Sequence, residues 1–105
     1  MIQTDCFSQN LKIKAGNGVG SDCEKRKADS PKDCQRMCQL QDGCKAFVYV
    51  TSAASVSASW KNSCCFKSVL PSASNTEVAP DRVTGPKLCK EGRSALNKYS
   101  WTLRL

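Results

Sequence analysis

The sequence predicts an α+β module in which one short helix is held to a small sheet by disulfide bonds. Three observations carry this reading. Cys34 and Cys38 lie four residues apart, so on a helix both sulfurs project from one face. The segments Cys44-Lys45-Ala46-Phe47-Val48-Tyr49 and Cys64-Cys65-Phe66-Lys67 open on cysteine and run into aromatic and β-branched residues, the composition of strands. Eight cysteines in 105 residues, an even number, suit a disulfide framework.

Each element has its own signal. Leu11-Lys12-Ile13-Lys14 alternates as a half-exposed strand does, and the glycines from Ala15 to Ser21 mark a turn or loop. The run Glu24-Lys25-Arg26-Lys27 reads as a solvated loop. Ser30 then caps a helix, Pro31 suits its first position, and Asp33 favours the positive end of its dipole. Cys34, Met37, Cys38 and Gln41 recur at helical spacing and Gly43 can end the element. The helix is therefore expected from Pro31 to about Gln41, with Met37 and Leu40 as apolar contacts.

Strands are expected from Cys44 to Val50 and from Ser63 to Val69. The small residues of Thr51 to Ser59 predict a mobile loop, dispensable for folding. Asn75 to Asp81 reads as loop, and Val83 to Leu88 as a strand whose Gly85-Pro86 suits an edge or a bulge. The tail Tyr99 to Leu105 alternates cleanly, as a further strand or a linker would.

Length bounds the chain to one domain over residues 1–105, with a disulfide core over 6–89 and a C-terminal extension over 90–105. Zinc is disfavoured by the absence of histidine and of any Cys-x2-Cys knuckle. Missing histidine also removes the commonest general base, so neither catalysis nor a cofactor is expected. Met1-Ile2-Gln3-Thr4-Asp5 holds no apolar leader, and Met1 is read as the start of a piece excised from a larger secreted protein. No run is long enough to insert in a bilayer. The net charge of +7 invites an anionic partner. Secretion and the lack of a recognition motif argue against nucleic acid.

Taken together, the capped helix with Cys34-x3-Cys38, then Cys44-x2-Phe47-x-Tyr49, then a Cys-x-Phe-Lys strand, resembles the PAN/apple domain family. Val83-Thr84-Gly85-Pro86-Lys87-Leu88-Cys89 is similar to the closing motif of that family. The extra cysteines and the serine-rich insert resemble the apple domains of apicomplexan microneme adhesins. The resemblance implies a sheet of about five antiparallel strands cradling a single helix. It also implies bridges Cys6–Cys89 and Cys38–Cys44, and one from Cys34 to the Cys-x-Phe-Lys strand. That position is doubled here. Should Phe66 face the helix, Cys64 joins Cys34 and Cys65 is left for Cys23; the opposite facing exchanges them.

The function implied by the resemblance is a secreted adhesion module, one of several tandem apple domains, that binds a host-cell glycan as a lectin does or binds a protein receptor. Storage in a secretory organelle such as the microneme goes with it. The alternative is a heparin-binding apple domain of the plasma or growth-factor kind, suited to a sulfated polyanion. A small secreted enzyme, inhibitor or toxin is the third class, with no nucleophile–base pair to support it. Candidate ligand-binding residues are Lys12, Lys14, Lys25, Arg26 and Lys27 as one patch, Lys87, Lys90 and Arg93 as another, and Tyr49 as an aromatic contact. Trp60, Tyr99 and Trp101 are further aromatics, although in so small a domain aromatics are more often core.

Overall fold

A computed structural model describes residues 6–16, 18–20 and 23–89. Its strands are β1 (Ser8–Ile13), β2 (Gly18–Val19), β3 (Ala46–Val50), β4 (Cys64–Lys67) and β5 (Thr76–Pro86), with one helix, α1 (Pro31–Gln39). They form a five-stranded sheet in the order β1-β5-β3-β4-β2, every pairing antiparallel. Helix α1 packs across β3, β4 and β5 on one face. The fold is α+β, as the cysteine and strand patterns predict.

The helix starts as the sequence indicates. Ser30 Oγ accepts from the Asp33 N–H at 3.1 Å, and Pro31 occupies the first turn, where its missing N–H costs nothing. The helix ends two residues earlier than expected, at Gln39. Leu40, the cap, is 86% exposed and makes no core contact, because it points away from the face that carries Cys34 and Cys38. Met37 does pack against the core, half-buried. The buried helical positions are Cys34, Gln35 and Cys38.

Strand alternation divides the sheet into two faces. Phe47 and Tyr49 of β3, with Cys64 and Phe66 of β4, turn toward the helix and form the main core with Val83. Ala46 and Val48 turn the other way, into a second cluster with Ile13. Phe47 meets the half-buried Phe7 edge to face, ring centroids 5.5 Å apart. Strand β5 lies between β1 and β3 rather than at the sheet edge, and Gly85 pairs in register with Phe47, so it is not a bulge. A Cβ there would lie 2.8 Å from Phe7 and 2.9 Å from Phe47, so only glycine admits both rings.

The expected loop Asn75 to Asp81 is instead mostly strand, since β5 begins at Thr76. Pairing with β1 supplies the extended conformation that local composition does not. The register skips between Gln9 and Leu11, and Pro80 sits in the stretch this skip leaves unpaired. Asn10 and Asp81 both adopt left-handed φ there, and Asn10 Oδ1 accepts from the Asp81 N–H at 3.0 Å. Segment 51–59 connects β3 toward β4. Ala54 is buried, with its N–H on the Thr51 carbonyl, and the chain then turns into a short 3-10 helix, Ala58–Trp60.

Four disulfides join Cys6 to Cys89, Cys23 to Cys65, Cys34 to Cys64 and Cys38 to Cys44. Phe66 faces the helix, and Cys64 shares that face with it. Lys90, Arg93, Tyr99, Trp101 and the alternating tail lie outside the described residues.

Candidate functional site

The sheet face opposite the helix holds a cavity of about 180 Å³. Its floor is Ile13 of β1, Val48 and Val50 of β3, and Cys65 of β4, all apolar. Val56 and Trp60, from the segment between β3 and β4, close one side; Trp60 is 39% exposed. The polar lining consists of Lys12, Lys67 and Arg82, one cation from each of β1, β4 and β5. No carboxylate, amide or hydroxyl side chain joins them among the described residues.

These cations are held in place. Lys67 Nζ donates to the Gly16 carbonyl at 3.0 Å, and Arg82 Nη1 donates to the Pro80 carbonyl at 2.8 Å. Lys12 pairs with Glu77 at 3.2 Å, across an exposed stretch of the β1–β5 ladder. Partial burial, and secondarily the charge of Lys12, hold the Lys67 ammonium below the ordinary lysine range. An anion in the cavity would relieve that repulsion.

The basic run after Cys23 is not a solvated patch. Arg26 stacks on Phe66, its guanidinium carbon 4.1 Å from the ring centroid, and Arg26 Nη1 donates to the Cys64 carbonyl at 3.1 Å. Lys27 Nζ donates to the carbonyls of Ser59 and Lys61 and to Ser63 Oγ. Lys25 is exposed at the end of the 3-10 helix Cys23–Lys25. The structure does not bring Arg26 together with Lys12. Arg26 covers Phe66 on the helix side of the sheet, whereas Lys12 lines the cavity on the other. Lys14 is exposed just past β1, and Lys87 is half-buried just past β5.

The PAN domain family profile matches residues 6–89, beginning and ending at the two cysteines that are bridged to each other. The chain belongs to the PAN domain family. No curated protein is similar enough to the chain to count as a match. PAN domains are adhesion and binding modules rather than enzymes. Four disulfides in a PAN domain are the chemistry of an extracellular or secreted protein.

Within this PAN domain the helix side of the sheet is committed to structure. Tyr49 is buried there; its hydroxyl donates to the Ala28 carbonyl at 2.8 Å and lies 3.1 Å from Asn62 Oδ1. Burial, with the nearby charges of Asp29 and Asp33, raises its phenol above the ordinary tyrosine range. Tyr49 is therefore a core residue. Tyr49→Phe is expected to cost about 1–3 kcal/mol, because the Ala28 carbonyl loses its partner. Chemical denaturation should show that loss while ligand binding is unchanged; weakened binding at unchanged stability would return Tyr49 to the site.

Gln35 and Gln39 escape sequence reasoning altogether. One helical turn apart, they donate to the Pro86 carbonyl at 2.9 Å and the Lys87 carbonyl at 3.0 Å, which ties α1 to the end of β5. Lys67 was legible in principle, since it alternates with Phe66 and must share the outward face of Cys65. Nothing local marks Arg82.

Proposed function

We propose that this PAN domain is an extracellular adhesion module that binds an anionic partner non-covalently at the outer face of its sheet. The supporting observation is the cavity, with an apolar floor and three cations from three strands around it. Concave apolar sites with a few convergent polar groups are where ligands are bound. The partner is a cell-surface glycan or a protein receptor, and the net charge of +7 steers an anionic one toward the domain. The domain is taken as one unit over residues 1–105, with its core over 6–89 and an extension over 90–105. Tandem PAN neighbours would add avidity. The resemblance to microneme adhesins supports a place in a secreted adhesin of that kind, stored in a secretory organelle.

A sulfated polyanion such as heparin is the second reading, favoured by the same three cations. Salt separates the cases, since an uncharged sugar scarcely responds to ionic strength. Retention on immobilised heparin and binding to arrayed glycans should be measured at low and at high salt. Lys67→Ala and Arg82→Ala are each expected to weaken binding to any anionic ligand. By analogy with counterion release from nucleic acid, each should also flatten its log–log salt dependence by about one unit. Lys25→Ala should change neither. An unaltered salt slope in Lys67→Ala and Arg82→Ala would remove the cavity as the anionic site.

A further inference from the structure

The size and chemistry of the cavity narrow the ligand beyond an anion. An apolar cavity of about 150 Å³ holds one benzene ring, so this open cavity of about 180 Å³ has room for a six-membered ring. A sugar ring would bring several hydroxyls that need acceptors as well as donors. Among the described residues, the side chains lining this cavity offer donors alone: two ammonium groups, a guanidinium and the indole of Trp60. An unmodified tyrosine would likewise leave its hydroxyl proton without a side-chain acceptor. An aromatic ring whose oxygen is esterified by a charged sulfate or phosphate group meets both demands, the ring on Val48, Val50 and Trp60 and the charge against the cations.

We propose that the cavity receives the side chain of a tyrosine O-sulfate on a protein partner, its sulfate held by Lys12 and Lys67, with the charge of Arg82 favouring it from β5. This rests on the reading that the cavity is the binding site. The donors suffice. Lys67 uses one of three N–H groups on Gly16, and Arg82 uses one of five on Pro80. Lys12 need only yield an exposed pairing with Glu77, of a kind that contributes little. Sulfate rather than phosphate fits the compartment, because a disulfide-bonded chain meets its partners along the secretory route, where tyrosine is sulfated.

Fluorescence anisotropy with the 105-residue chain tests this. The probes are a labelled Gly/Ser peptide with one sulfotyrosine, the same peptide with plain tyrosine, and a heparin fragment. The sulfated peptide is expected to bind at least about tenfold tighter than the plain one, the scale of one charge-assisted hydrogen bond. Lys67→Ala, Arg82→Ala and Trp60→Ala should each reduce that binding, and Lys25→Ala should not. The comparison of the two peptides needs no variant and stands whatever the variants do to folding. Equal binding of the two peptides, with heparin binding lost in Lys67→Ala, overturns the sulfotyrosine assignment and leaves the anion-binding site intact. Equal peptide binding with heparin untouched by the variants overturns both. A sulfate preference that survives all three cavity variants overturns the placement in this cavity.

Discussion

Replacing Cys34 and Cys64 together by alanine is expected to lower the stability of this PAN domain by about 4 kcal/mol. The bridge closes a sequence separation of 30, and most of its effect is the freedom it removes from the unfolded chain. Replacing Cys38 and Cys44, separated by only 6, should cost about 2 kcal/mol on the same account. The comparison is clean because all four cysteines are fully buried, so the loss of packed sulfur is similar in both pairs. Urea unfolding of the two double variants beside the parent measures the difference. Equal losses would mean that local packing, not chain entropy, sets the value of these bridges.

Phe47→Ala should produce the other large effect, a loss of about 3–5 kcal/mol. Phe47 is fully buried between the helix and the sheet, its ring against Phe7 and over the one glycine that leaves room for it. Neighbours held by three disulfides cannot collapse into the space left behind, which puts the cost toward the upper end. Val78→Ala is the control. Val78 is 80% exposed on β5, and its truncation should stay within about 0.5 kcal/mol. A Phe47→Ala protein that unfolds at the parental urea midpoint would show that the bridges alone hold the fold.

Much of the framework was legible in the residues. The helix start could be read because capping is local: Ser30, Pro31 and Asp33 settle it among themselves. Strands β3 and β4 could be read because aromatic and β-branched runs favour a half-buried pleat in almost any context. The helix end was read two residues late, because the exposure of Leu40 depends on where the sheet lies. The first half of β5 has loop composition at Glu77, Pro80 and Asp81, and pairing with β1 on either side of the unpaired stretch carries the strand through it. In segment 51–59, Ala54 is small enough to be buried and Val56 lines the cavity, and neither role is marked by the small-residue composition.

The site divides along the same line. By itself the sequence determined the helix-and-sheet plan, the cysteine framework, the absence of histidine and the excess of positive charge, since these depend on residue identity, spacing and alternation. Only the tertiary structure decided which charges are available. Lys25-Arg26-Lys27 looks like a patch because its members are adjacent in the chain, but Arg26 is engaged by Phe66 and Lys27 by the carbonyls of Ser59 and Lys61. Lys12, Lys67 and Arg82 are far apart in sequence and converge on one cavity because antiparallel pairing brings β1, β5, β3 and β4 side by side. Electrostatic environment is set by distance in space and by the groups that fill it, and neither can be read from distance along the chain.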